Sequence, residues 1–123
     1  MGKVILIVED DEKNLKLFRD ILQFHRYSIL EASDGSQAID LAKEHKPDLI
    51  LMDMQLPVMD GFDAARRIKS DELLEKIPII ALTALAMHGD MKRMMLAGCD
   101  GYISKPINLT EFLLVIEKYI KDR

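Results

Sequence analysis

The sequence predicts an α/β protein with a doubly wound, five-stranded parallel sheet that has helices on both faces. Apolar runs of strand length alternate five times with stretches of helical periodicity, and this alternation indicates repeated strand–helix–strand units. Three of the runs are almost wholly apolar, which is typical of strands buried on both faces of a parallel sheet. Because the strands run parallel, all strand-to-helix loops are expected at one edge of the sheet.

The five strands are predicted near residues 3–8, 28–31, 48–52, 78–82 and 101–104. The first, third and fourth are the nearly continuous apolar runs, so they are expected to be buried on both faces. Pro47 and Pro78 stand just before the third and fourth strands, where a proline ends the preceding helix.

The five helices are predicted near residues 12–25, 35–45, 62–74, 87–97 and 109–121. Apolar residues recur at i, i+3 and i+4 spacing along the first and last of them, at Leu15, Phe18 and Leu22, and at Leu109, Phe112, Leu113, Ile116 and Ile120.

Three helix ends also have recognisable capping residues. Asp34 with Gln37, and Asn108 with Glu111, match a capping box, in which a side-chain oxygen accepts from an otherwise unpaired backbone N–H. Gly98 is expected to end the fourth helix in a left-handed conformation.

The composition excludes several classes of protein. A chain of 123 residues is expected to form one domain, residues 1–123. Its net charge of -4 argues against a nucleic-acid partner, because phosphate binding needs a clustered positive surface. The apolar runs are too short to span a membrane, and a strand follows Met1 too closely to leave room for a signal peptide. Cys99, the single cysteine, fits a reducing compartment, so we expect a cytoplasmic protein.

Charged residues follow three of the predicted strands. The third strand ends in Asp53, the first ends in the acidic run of residues 9–11, and the last ends in Lys105 and Pro106. Open α/β sheets bind ligands at the carboxyl ends of their strands. The sequence therefore predicts that these acids and Lys105 meet in one site.

In order and spacing, these motifs resemble the receiver domain of two-component response regulators. The matching features are the acids after the first strand, Asp53 followed by Pro57 and Asp60-Gly61, Thr83-Ala84 after the fourth strand, and Lys105-Pro106 after the fifth. Within that family, residues 8–10, 48–53 and 102–107 are most similar to stand-alone receivers of the DivK type. The resemblance implies a flavodoxin-like fold with strand order 2-1-3-4-5.

The resemblance also implies a phosphorylation site. Asp53 would accept a phosphoryl group from a sensor histidine kinase or a phosphotransfer protein. The metal would be Mg²⁺, with Mn²⁺ as an alternative, and its implied ligands are Glu9, Asp10, Asp53 and the backbone carbonyl of Gln55. The family most often has aspartate at the first of these positions, so the longer Glu9 is a departure from the pattern. The phosphoryl oxygens would be held by Lys105 and Thr83, and Pro106 is expected to follow a cis peptide bond.

The chemistry requires a cation. A carboxylate nucleophile must approach an anionic donor, and two like charges about 4 Å apart repel by roughly 4 kcal/mol near a protein surface. Three clustered acids should therefore resist full ionisation in the absence of metal, and at least one pKa should be raised.

The family pattern further implies how the signal leaves the site. The hydroxyl of Thr83 and the ring of Tyr102 would move inward on phosphorylation and reshape the surface of the fourth helix, fifth strand and fifth helix. An effector protein would bind there, and the chain would be a monomer or a weak phosphorylation-dependent dimer. Gln55 and Leu85 would tune the dephosphorylation rate. Among the methionines of the fourth helix, one or two are expected to be exposed for partner binding.

Two other functions are compatible with the sequence. The chain could be a Mg²⁺-dependent phosphatase with an aspartyl nucleophile, although Gln55 stands where such enzymes place their general acid. It could also be a scaffold that works without phosphorylation, but a scaffold would not require the acids, Thr83 and Lys105 together. No glycine-rich nucleotide-binding motif follows any predicted strand.

Overall fold

The computed structural model describes residues 2–84 and 88–121, with side chains for residues 2–84 and 91–120. Strands and helices alternate throughout this part of the chain, as predicted. The elements are β1 (Val4–Val8), α1 (Glu12–Phe24), β2 (Ser28–Ala32), α2 (Gly35–His45), β3 (Leu49–Asp53), α3 (Gly61–Lys69), β4 (Ile79–Thr83), α4 (His88–Leu96), β5 (Gly101–Ser104) and α5 (Leu109–Lys121).

The strands form one parallel sheet in the order β2-β1-β3-β4-β5. This is the order that the resemblance implied, and the predicted fold class is confirmed. β3 lies at the centre, between β1 and β4, and all five of its residues are buried. Asp53 therefore reaches the carboxyl edge from a fully buried strand in the middle of the sheet.

Helices cover both faces of the sheet, as predicted, and alternate residues of the strands pack into two separate apolar layers. On one face, β1 and β3 pack against α1 and α5, where the rings of Phe18 and Phe112 stack with centroids 5.5 Å apart. The opposite layer contains residues of β1, β3, α2 and α3 together with Met94 of α4. Burial on both faces explains why the central strands have no polar alternation.

The helix caps follow the predicted pattern with one small difference. Asp34 Oδ1 accepts from the Gln37 N–H at 2.9 Å, and Asn108 Oδ1 accepts from the Glu111 N–H at 3.0 Å. The Gln37 Oε1 accepts a hydrogen bond from the Ser33 N–H at 3.0 Å. In a standard capping box the donor would be the N–H of the next residue, Asp34. Gly98 has a φ of 93°, so its predicted left-handed conformation is confirmed.

The prediction for the third helix was wrong at its end, because α3 stops at Lys69 instead of near residue 74. The Ser70 hydroxyl donates to the Arg66 carbonyl, and the Asp71 side chain accepts from the Leu73 N–H. These side-chain bonds compete with helical ones. Leu74 is nevertheless buried, and for this reason the apolar spacing in the sequence continues past the end of α3. For the fourth helix, the predicted start at residue 87 lies outside the described residues.

Among the described residues, no helix combines the length and the apolar character that crossing a membrane would require.

Candidate functional site

The carboxyl ends of β1, β3 and β5 bring Glu9, Asp53 and Lys105 together. Lys105 Nζ donates a hydrogen bond to Asp53 Oδ2 at 2.8 Å and another to Glu9 Oε1 at 3.3 Å. Both carboxylates are buried and Lys105 is partly buried. The predicted convergence of the strand ends is therefore confirmed.

Three acids form a compact cluster at this edge. Glu9, Asp10 and Asp53 each place one carboxylate oxygen within 4.8 Å of the others. Asn14 Nδ2 donates to Glu9 Oε1 at 2.9 Å, and the Gln55 N–H donates to Asp53 Oδ1 at 2.9 Å. The second oxygen of Glu9, Oε2, is buried and accepts no hydrogen bond within the described part of the chain. A buried oxygen without a donor beside two further carboxylates fits a divalent cation that prefers oxygen ligands.

The electrostatics of the metal-free cluster differ between its two buried acids. Burial raises the pKa of Glu9 to about 8, and a hydrogen bond with Asp53 acts in the same direction. Burial alone would also raise the pKa of Asp53, but hydrogen bonds from Glu9, Lys105 and the Gln55 N–H lower it overall. For Lys105, burial alone would lower the pKa, yet the bond to Asp53 raises it. The prediction that one pKa of the cluster is raised is confirmed, and of the two buried acids Asp53 is the one whose pKa is lowered.

Replacing Glu9 by glutamine should stabilise the protein in the absence of divalent cations. Folding raises the pKa of Glu9 from 4.5 to about 8, so the folded state holds a proton that the unfolded state releases. Stability linked to this group is complete below about pH 4.5 and is lost as the pH rises through about 8. The free energy of unfolding can be measured by urea titration in EDTA. The gain of Glu9→Gln over the wild type should be larger at about pH 9 than at about pH 5.

Glu12→Gln is the matched control, because it removes a nearby acid that is exposed and lies outside the cluster. An equal gain in stability from both variants, or a gain independent of pH, would contradict the prediction.

The loop after β3 is folded tightly against the nucleophile strand. The Met59 N–H donates to the Pro57 carbonyl at 2.7 Å across Val58, whose φ is 65°. This γ-turn is strained for a β-branched residue. A Cβ at position 61 would clash with the backbone carbonyl of Asp53, so only glycine allows α3 to begin there. The Asp60-Gly61 pair thus sets the position of the loop that carries Gln55.

The other predicted site residues lie around this cluster. Thr83 ends β4 and is buried, whereas Tyr102 on β5 is 42% exposed. The Lys105 N–H donates to the Thr83 carbonyl at 2.8 Å, and the Lys105–Pro106 peptide bond is cis, as expected. Leu85 lies outside the described residues.

Two further side chains belong to the site and were missed from the sequence. Asn14 holds Glu9 from the first turn of α1, and Arg93 of α4 lines an open cleft of about 470 Å³ beside Asp10, Gln55 and Thr83. The position of Asn14, five residues after Glu9, could have suggested its role, because the turn into α1 is short. Nothing in the sequence around Arg93 points to the cleft.

A parallel sheet with this strand order and an acid–lysine cluster at its carboxyl edge defines a protein of the receiver class. The model of the response regulator receiver domain matches residues 5–117, and the chain belongs to this family. Among curated proteins, it is 48% identical to the polar-differentiation response regulator DivK of Brucella anthropi, with 99% of each chain covered. DivK of Brucella ovis has the same identity and coverage. The predicted resemblance to DivK-type receivers is confirmed.

Solved structures agree with this assignment. The receiver domain of the sensor histidine kinase PA1611 from Pseudomonas aeruginosa, with a magnesium ion coordinated in its active-site cleft, has a TM-score of 0.92 and 37% identity and covers 98% of this chain and 99% of its own. The receiver domain of Ssk1 from Saccharomyces cerevisiae, solved with the phosphotransfer protein Ypd1, has a TM-score of 0.89 and 33% identity, covering 96% of this chain and 88% of its own. The chain is therefore a two-component signalling regulator, a class that pairs with histidine kinases or phosphotransfer proteins.

Proposed function

We propose that Asp53 is the phosphoacceptor of this receiver and takes its phosphoryl group from a phosphohistidine of a sensor histidine kinase or phosphotransfer protein. The observation that carries the proposal is the 2.8 Å contact between Lys105 Nζ and Asp53 Oδ2 at the end of the central strand. Hydrogen bonds from Glu9, from Lys105 and from the Gln55 N–H keep the pKa of Asp53 low despite burial. The carboxylate is therefore ionised at neutral pH, as a nucleophile must be.

In the proposed reaction, a carboxylate oxygen of Asp53 forms a bond to phosphorus while the bond between phosphorus and the donor nitrogen breaks. Lys105 already lies at this carboxylate and offers a fixed positive charge to a phosphoryl oxygen. Thr83, at the end of the adjacent strand β4, offers a hydroxyl donor to another. Both groups favour the negative charge of the phosphoryl group in the transition state and in the product.

The acids that flank Asp53 would hold Mg²⁺, with Mn²⁺ as an alternative. Glu9, Asp10 and Asp53 are the candidate carboxylate ligands, and the backbone carbonyl of Gln55 is the fourth. A bound cation supplies the positive charge that lets one anion approach another. Support comes from the buried Oε2 of Glu9, which accepts no hydrogen bond from the described residues, and from the magnesium ion in the similar PA1611 receiver domain.

The test is phosphorylation by a small donor with and without the metal. Incubation of the purified chain with acetyl phosphate and Mg²⁺ should add one phosphoryl group, seen as a mass increase by intact mass spectrometry. Removing Mg²⁺ with EDTA should suppress the increase, because the clustered carboxylates then repel the donor. A chain that stays unmodified at saturating Mg²⁺ and acetyl phosphate would contradict the proposed function.

The output surface that we propose is formed by α4, β5 and α5. Tyr102 is exposed here, whereas Thr83 is buried. An inward movement of the Tyr102 ring would therefore change the shape of the surface that a partner contacts. Met95 and Leu96 of α4 are exposed by about three quarters, whereas Met94 is buried, in keeping with the expected exposed methionine. An effector protein would bind this surface, and the chain would be a monomer or a weak phosphorylation-dependent dimer.

The remaining parts of the proposal concern regulation and location. The chain would assist its own phosphorylation and dephosphorylation, and Gln55 and Leu85 would set the dephosphorylation rate. Residues 1–123 would form a single receiver domain with no nucleic-acid or membrane partner. We place the protein in the cytoplasm. Its single cysteine, Cys99, is a free thiol, and thiols stay reduced in that compartment.

A further inference from the structure

The cleft beside Asp53 contains a cation that the proposed chemistry does not use. Arg93 of α4 lines this cleft together with Asp10, Gln55 and Thr83, and its side chain is exposed to solvent. The guanidinium carbon of Arg93 lies 3.9 Å from the centroid of the Phe62 ring. The cleft measures about 470 Å³, is open to solvent, and is lined by Gln55, two residues after Asp53.

Arg93 packs on Phe62, a residue at the start of α3 that is itself held close to Asp53. Phe62 is the second residue of α3 and is buried. It follows Gly61, which packs so closely on the Asp53 carbonyl that no side chain fits there. The Phe62 ring is thus held relative to Asp53, and stacking on it orders the planar guanidinium at a small entropic cost.

The charge of the cleft explains why a further cation is useful. Four carboxylates surround or line it, those of Glu9, Asp10, Asp53 and Asp60. Lys105 and one divalent cation supply three positive charges, so the cleft keeps an excess negative charge toward an incoming anion. Arg93 offsets that excess, and charges that line a cleft raise the encounter rate of oppositely charged ligands.

We propose that Arg93 is a donor-recognition residue that attracts the anionic phosphodonor into the cleft before transfer to Asp53. The inference rests on the proposed function and adds a determinant of donor choice to it. With acetyl phosphate, the Asp53 oxygen bonds to phosphorus, the bond from phosphorus to the acetyl oxygen breaks, and acetate leaves with the electron pair. Arg93 takes no part in that exchange, so it affects the capture of the donor and not the maximal rate.

The experiment compares two donors of different charge on the full chain at saturating Mg²⁺. Acetyl phosphate is mainly a dianion at neutral pH, whereas phosphoramidate carries one net negative charge. Arg93→Gln should lower the second-order rate constant for acetyl phosphate about threefold to fivefold at low ionic strength. The loss should be smaller for phosphoramidate and should shrink in about 0.5 M salt, while the rate at saturating donor stays unchanged.

Arg66→Gln is the matched control, because it removes the same charge from an exposed arginine of α3 that pairs with Asp63 instead of lining the cleft. Phe62→Leu keeps the arginine but removes its aromatic support and should give an intermediate loss. Equal rate constants for Arg93→Gln and Arg66→Gln, an equal loss with both donors, or a fall in the saturated rate would each overturn the inference. A wild-type chain that neither donor phosphorylates would overturn the proposed function and this inference with it.

Discussion

Replacing Asp53 by asparagine should abolish phosphorylation by acetyl phosphate. The amide is not a nucleophile toward phosphorus, and the neighbouring acids cannot substitute for it. Glu9 is buried, and its Oε1 already accepts hydrogen bonds from Asn14 Nδ2 and Lys105 Nζ. Asp10 is exposed and lacks the lysine contact that holds Asp53 ionised. Intact mass spectrometry after incubation with Mg²⁺ and donor should show no added phosphoryl group.

Asp63→Asn is the matched control, since it makes the same chemical change at an exposed acid of α3 that pairs only with Arg66 among the described residues. This variant should be phosphorylated like the wild type. Circular dichroism should show that both variants are folded. A phosphorylated Asp53→Asn protein would mean that another carboxylate is the acceptor.

Replacing Lys105 by glutamine should separate phosphoryl transfer from metal binding. Loss of the fixed cation at Asp53 Oδ2 should slow phosphorylation by about 100-fold or more, the usual effect of removing a preorganised charged donor. Mg²⁺ should nevertheless bind more tightly, because the ammonium group competes with the metal for Asp53 and Glu9. Rates measured at saturating Mg²⁺, together with a calorimetric titration of Mg²⁺, check the two effects.

Lys16→Gln serves as the control, because Lys16 is an exposed partner of Asp20 on α1 and lies away from the acid cluster. It should change neither the rate nor the Mg²⁺ affinity. If Lys105→Gln weakened Mg²⁺ binding as much as it slowed transfer, the lysine would be a structural support for the acids, and its proposed contact with the phosphoryl group would fail.

The fold was predictable because burial on both faces leaves a plain signal in a parallel sheet. Five-residue apolar strands such as β3 and β4 can be recognised without knowledge of their neighbours. The strand order could not be predicted from this signal, because it depends on the side of the sheet to which each crossover runs. It was known only from the family resemblance. The end of α3 was misjudged because Leu74 is buried from a turn, and the apolar spacing does not distinguish a turn from a helix.

The acids and Lys105 were predictable because each stands at the end of a strand, where the backbone alone decides which edge it reaches. Asn14 and Arg93 were not, because their contributions depend on side-chain reach from helices. Arg93 meets Phe62 across two helices, and such a contact depends on how α3 and α4 pack. The raised pKa of Glu9 was expected for the cluster, but the sequence could not tell which acid would remain neutral.

The hydrogen bond from the Lys105 N–H to the Thr83 carbonyl has a mechanical consequence. The two residues proposed to grip the phosphoryl group are joined through their main chains, so a ligand that pulls one of them displaces the other as well. Tyr102 lies on β5, three residues before Lys105, which directly follows that strand, and its side chain is partly exposed. A displacement of Lys105 by a fraction of an ångström would therefore be transmitted through a short stretch of backbone to Tyr102 at the protein surface.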